Sequence, residues 1–161
     1  MQASRNDSSH PRPRLDIATL APAPYRAFLA VDAALREGPL SASIRELVKI
    51  RASQHNGCVL CVDMHVREAR KLGASEDRLH QVVVWRESLL FSDAERAALA
   101  YTEAATQLGP EGVPDAVWDA ARAAFDDASL AALVAQVALI NALNRIGVPL
   151  RTPPGDVTHA R

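Results

Sequence analysis

Residues 43–65 read SIRELVKIRASQHNGCVLCVDMH. The chain has two cysteines, and both are here, Cys58 and Cys61, with His65 one helical turn further on. Apolar Ile44, Leu47, Val48 and Ile50 form a helical stripe, and Asn56-Gly57 is a helix-stop signal. Ser43 with Glu46 three residues on fits a capping box. The pattern predicts one helix ending at Asn56 and another starting near Cys58, running to Lys71-Leu72 with Gly73 just beyond. A thioredoxin-like Cys-x-x-Cys needs a strand before it in a βαβ context. The residues before Cys58 read as helix, so that fold is rejected.

The flanking segments have the same helical period. PYRAFLAVDAALREG places Tyr25, Phe28, Leu29, Ala33 and Leu35 near one side and stops at Gly38-Pro39. Ser75-Glu76-Asp77 opens a helix over LHQVVVWRES. Ser92 and Glu95 form a capping box for AERAALAYTEAATQL, Pro114 starts PDAVWDAARAAF, and Asp127 caps a last helix from Ser129 to Arg145 or Ile146. That helix, LAALVAQVALINALN, is apolar almost all round, which implies burial on every side, with a neighbouring subunit as part of the cover. The expectation is an all-α domain of about seven helices over 15–150, a disordered tail over 1–14, and a flexible C-terminal tail over 151–161.

Composition narrows the function. The 161 residues are 48% hydrophobic with a formal net charge of -1, which supports one cored domain and gives no basic footprint for nucleic acid or an anionic membrane. No unbroken apolar run reaches the roughly 18–20 residues of a spanning helix, and MQASRNDSSHPRPR at the N-terminus has no apolar signal region. The expectation is a soluble cytoplasmic protein. There, a close cysteine pair is catalytic, redox-sensing or metal-binding more often than a structural staple. No flavin, nicotinamide or haem signature is present, so no cofactor is expected and electrons must come from a partner.

If residues 58–65 are helical, Cys58 and Cys61 have Cα atoms roughly 5–5.5 Å apart, inside the 4.4–6.8 Å tolerated by disulfides. His65 lies one turn beyond Cys61 and leans back toward it, while Cys58 is about two turns away. The helix N-terminus and the imidazole both favour thiolate. Two other readings stay open on the residues alone. One is a zinc site of Cys58, Cys61 and His65 with Glu46 or His55, weakened by the lack of a second ligand pair. The other is packing of two buried thiols. His55 reads as a helix-end residue that could line the site mouth. Trp85 and Trp118 read as core. Arg51, Arg67 and Arg70 read as salt-bridged faces, with a guanidinium near the dithiol as a further aid to thiolate. Asn144 and Arg145 read as structural, with hydrogen bonds across subunits.

Glu46, eleven intervening residues, then Cys58-x-x-Cys61-x-x-x-His65 form an extended motif. The pattern continues through Trp85, the Phe91–Arg96 segment and Asn144-Arg145, over roughly residues 20–150. It resembles the carboxymuconolactone decarboxylase superfamily in its alkylhydroperoxidase D-like (AhpD-like) branch. The resemblance implies an all-α fold with the dithiol at a helix start and a homo-oligomer, trimer or hexamer. It implies reduction of organic hydroperoxides, with Cys61 as peroxidatic thiol, Cys58 as resolving thiol, and His65 and Glu46 as a proton relay. It implies an external dithiol reductant: a lipoyl protein, an adaptor or a thioredoxin-like protein. The chain departs from the pattern at Leu60, where a well-known form has a relay histidine, which implies a shorter relay. The alternatives are a non-enzymatic redox-sensing or metal-binding module, or a decarboxylase-like enzyme acting on a lactone. The decarboxylase branch typically lacks the cysteine pair.

Overall fold

The computed structural model describes residues 12–154. Among these residues there are eight α-helices and one 3-10 turn, and no strand. The all-α expectation holds. The extra helix is α1 (Ile17–Leu20), a single turn nucleated by Asp16, whose carboxylate accepts from the Thr19 N–H and hydroxyl. The expected tails at 1–14 and 151–161 lie largely outside the described residues. Within them, the Arg14 N–H donates to the Leu150 carbonyl at 2.8 Å, pinning this end of the chain to the end of the last helix.

The remaining helices are α2 (Pro22–Arg36), α3 (Ala42–Asn56), α4 (Val59–Lys71), α5 (Glu76–Gln81), α6 (Asp93–Thr106), α7 (Asp115–Ala124) and α8 (Asp127–Leu150). Most boundaries follow local chemistry. Ser92 and Glu95 make the reciprocal capping box, and Gly57 and Gly73 take the left-handed conformation that ends α3 and α4. Other boundaries correct the sequence reading. Ser41, not Ser43, caps α3 by accepting from the Ile44 N–H, so Glu46 lies one turn inside the helix and its side chain is free for other partners. Asp126, not Asp127, caps α8 through the Ser129 N–H at 2.7 Å. The α5 segment tightens to a 3-10 turn at Val82–Val84 instead of continuing. Helix α8 extends past Ile146 to Leu150 with Pro149 inside its last turn, and Arg151 at φ 52° ends it.

Helix α3 is the hub. Val48 joins Leu40, Ala98, Tyr101, Leu133 and Val137 in one core, and Leu47 and Ile50 join Leu79, Val82, Trp85 and Leu99 in a second. Ala52 joins Cys58, Cys61 and Ile140 in a third, smaller core beneath the α3–α4 turn. Helix α8, at 24 residues, matches a membrane span by length and composition, against the expectation that no apolar run reaches that length. In the fold it buries Leu130, Leu133, Val137 and Ile140. Helix α2 has no fully buried residue, and Leu29 and Val31 on it are about half exposed. Trp118 is also partly exposed, tilted against Tyr101, rather than in the core.

Candidate active site at the α3–α4 turn

The turn from α3 into α4 is built by three constraints. Gly57 at φ 69° reverses the chain, the Cys58 N–H donates to the Ser53 carbonyl at 2.9 Å, and the Cys58 carbonyl accepts the first bond of α4 from the Val62 N–H. An amide network fixes the turn to α8. Asn56 Nδ2 donates to Oδ1 of Asn141 (2.8 Å) and of Asn144 (2.9 Å), and Asn144 Nδ2 donates to Ser53 Oγ. Asn144 and Arg145 bond within the chain, Arg145 to the Asn141 carbonyl and side chain.

Cys58 is the N-cap of α4, and the two cysteines are joined as a disulfide with Cα atoms 5.4 Å apart, the separation that helical geometry anticipated. Both are buried. They face different spaces. Cys61 and His65 line a cavity of about 240 Å³ whose other walls are chiefly apolar, including Leu29, Leu60, Met64, Ile140 and Ile146. Cys58 lines a second hollow of about 450 Å³ with Gly57, Val59, Arg151 and Pro153. His65, one turn beyond Cys61 along α4, lines the same cavity as Cys61, whereas Cys58 lines the other.

Glu46 stands behind His65. Its Oε2 is 2.9 Å from His65 Nδ1, and its Oε1 is 3.2 Å from Lys49 Nζ. Lys49 Nζ is also 3.0 Å from Asp32 Oδ1, and Arg36 Nε donates to Asp32 Oδ2 at 2.9 Å. Glu46, Lys49 and His65 are all buried. Burial pushes the Glu46 carboxyl up, but His65 and Lys49 together outweigh it and hold the group below the ordinary glutamate value. The balance at Asp32 is similar, with burial opposed by Lys49 and Arg36. An ionised carboxylate only accepts hydrogen bonds. The proton of a neutral His65 is therefore on Nδ1, and the basic lone pair is on Nε2.

Sequence reading brought Glu46, Cys58, Cys61 and His65 together, and they do meet at this turn. It did not find Lys49 or Asp32. A signal for Lys49 existed: a lysine three residues after Glu46, on its helical face, interrupting the apolar stripe Leu47-Val48-Ile50. Asp32 had none, because its contact crosses from α2 to α3. Arg51 is not an aid to the dithiol. It pairs with Glu103 at 2.6 Å in a separate cluster with Arg86 and the Trp85 indole N–H (2.8 Å). His55 points into that cluster, 3.7 Å from Glu103, and does not line the Cys61 cavity. Arg67 and Arg70 pair with Asp63 and Glu76. Among the described residues, no three His, Cys, Asp or Glu side chains converge to hold a metal ion.

Comparison with known proteins bears on the family and the fold. The YdfG protein of Bacillus subtilis (strain 168), itself uncharacterized, is 33% identical over 137 residues, spanning 85% of this chain and 93% of that one. A solved structure from Agrobacterium tumefaciens, a protein of unknown function assigned provisionally to antioxidant defence as AhpD, superposes with a TM-score of 0.86 at 35% identity, covering 89% of this chain and 99% of that one. The debrominase Bmp8 superposes with a TM-score of 0.76 over 89% of this chain and 78% of that one, but at 18% identity it shares the fold alone. The carboxymuconolactone decarboxylase family profile matches residues 22–104. With the extended motif and the all-helical fold around it, the chain belongs to the carboxymuconolactone decarboxylase family, in its AhpD-like branch.

Proposed function

We propose that the protein is a thiol-dependent hydroperoxide reductase acting on apolar organic hydroperoxides. The observation that carries this reading is that Cys61 and His65 line one chiefly apolar cavity, with Glu46 bound behind His65. In the reduced protein, His65 Nε2 takes the Cys61 thiol proton. The thiolate attacks the terminal peroxide oxygen, the O–O bond breaks, and the alkoxide leaves with the proton from His65. Cys61 becomes a sulfenic acid, and the Cys58 thiol condenses with it to form the disulfide and water. An external dithiol, carried by a lipoyl protein, an adaptor or a thioredoxin-like protein, restores both thiols by exchange. The apolar walls favour substrates with a hydrocarbon tail, and with Leu60 in the wall His65 is the one imidazole there among the described residues. The cytoplasm, which keeps thiols reduced, suits this cycle, and a homo-oligomer accords with the half-exposed apolar face of α2.

The test is differential thiol alkylation of the reduced protein before and after one equivalent of cumene hydroperoxide, read by mass spectrometry. The expected result is conversion of two free thiols to a Cys58–Cys61 disulfide, and loss of all reaction in Cys61→Ser. Thiols untouched by the peroxide would refute the reading. Lactone turnover that survives loss of both cysteines would assign a decarboxylase-like activity instead.

A further inference from the structure

A row of alternating charges runs from the surface of α2 to the cavity: Arg36, Asp32, Lys49, Glu46 and then His65. Its middle member is unusual. Lysine is almost never fully buried unless paired, yet Lys49 is 1% exposed. Its ammonium lies between two carboxylates at 3.0 and 3.2 Å. Such a group is costly to bury and is not needed to fill α3, where an apolar side chain would pack. We propose that Lys49, seated by Asp32, is a positioning residue that fixes the tautomer of His65 through Glu46.

The argument is one of proton placement and builds on the reading of His65 as the base for Cys61. A buried carboxyl without a cation tends to take up a proton. Protonated Glu46 would donate to His65 Nδ1 rather than accept from it. The imidazole proton would then sit on Nε2, and the face toward Cys61 would carry an N–H instead of a lone pair. Lys49 prevents this by keeping Glu46 an acceptor. Asp32 in turn holds the ammonium, while Arg36 takes the second Asp32 oxygen. The charged groups around the row are Asp32 and Arg36 from α2, Glu46 and Lys49 from α3, His65 and, at longer range, Glu68 from α4, and Asp16, the cap of α1, on the cavity that His65 lines. Arg45 is turned away, to the Arg36 and Leu40 carbonyls.

The test uses the full-length protein and has two readouts. The first is the tautomer of His65, from the ring nitrogen shifts of ¹⁵N-labelled protein, assigned by the signal missing in His65→Gln. The wild type is expected to show Nδ1–H, Lys49→Met to show Nε2–H, and Lys49→Arg to keep Nδ1–H. The second is the pH profile of Cys61 oxidation by cumene hydroperoxide. In Lys49→Met the rate at pH 7 should fall at least ten-fold, toward the 10²–10⁴ that a positioned base contributes, with the acid limb displaced to higher pH. A purely structural lysine would lower stability without moving either readout. If Lys49→Met does not fold, Lys49→Gln, which keeps a polar head but no charge beside Glu46, should show the same changes. An unaltered tautomer and an unaltered acid limb in the folded variant would overturn the proposal. The tautomer readout needs no peroxide, so absence of peroxidase activity in the wild type would remove the functional reading while leaving this inference decided on its own.

Discussion

Gly147 on α8 lies against the Cys58 sulfur: a Cβ at this position would stand 3.2 Å from Cys58 Sγ and 4.0 Å from Cys61 Sγ. Replacing a helical glycine with alanine ordinarily gains about 1 kcal/mol, but inserting a methyl into a filled space costs about 1–3 kcal/mol. The cost is larger in the dithiol, whose sulfurs stand at van der Waals rather than bonding distance and need more room. Gly147→Ala is therefore expected to favour the disulfide, making its reduction potential more negative by roughly 30 mV, the equivalent of about 1.4 kcal/mol. Equilibration in dithiothreitol redox buffers followed by alkylation measures this. An unchanged or less negative potential would contradict the steric account.

The amide network that holds the α3–α4 turn predicts a second effect. Asn144 is fully buried and satisfies both Asn56 Nδ2 and Ser53 Oγ. Asn144→Ala leaves the buried Ser53 Oγ without that partner, leaves Asn56 Nδ2 with Asn141 Oδ1 alone, and opens a small void. Each buried unsatisfied polar group costs about 1–3 kcal/mol, so a loss of about 2–4 kcal/mol is expected in urea unfolding. The turn that presents Cys58 should loosen with it, seen as faster alkylation of the reduced thiols. A loss below about 0.5 kcal/mol would mean the network is not a structural tie.

How legible this was in the sequence depended on range. The turn at Gly57 and the cap at Ser92 are decided within four residues, and the structure has both. Ser41 caps α3 in place of Ser43 because the two serines stand two residues apart and only the backbone path chooses between them. Glu46 could be tied to His65 by family resemblance alone, since Gly57 breaks the helix between them. The Asp32–Lys49 pair and the approach of Gly147 to Cys58 join positions far apart in the chain. No periodicity within one helix reports them.

The Glu103 cluster predicts an acid dependence of stability. Burial pushes this carboxyl up, but Trp85, Arg86 and Arg51 outweigh it and hold it below its ordinary value of 4.5. A carboxylate depressed in the fold contributes its stability in full above that ordinary value. The contribution is lost as pH falls through the folded value. Tm should therefore fall on acidification below about pH 5. Glu103→Gln should start lower at neutral pH and decline less steeply. Glu103→Ala, which strands the half-buried Arg51 and the Trp85 N–H, is expected to cost about 3 kcal/mol, or roughly 6–12 °C in Tm for a chain of this size. Parallel melting curves for wild type and Glu103→Gln at the same slope would show that other carboxylates dominate acid unfolding.

Glu46 and His65 should behave as one unit in the reaction with peroxide. Glu46→Gln keeps the shape of the side chain and leaves Lys49 paired with Asp32 at 3.0 Å, so the fold should survive with Tm within a few degrees. What is lost is the negative charge that stabilises the imidazolium once His65 has taken the Cys61 proton. A slowing of Cys61 oxidation of about 10²-fold is expected, the lower end of what a positioned acid–base group contributes. His65→Gln removes the base itself and should slow the step by at least as much. Groups that act in series are not additive. The double variant should therefore be about as slow as His65→Gln alone, not slower by the product of the two factors. Stopped-flow tryptophan fluorescence during the reaction with cumene hydroperoxide gives all three rates. Multiplicative effects would mean that Glu46 acts on Cys61 by a route other than His65.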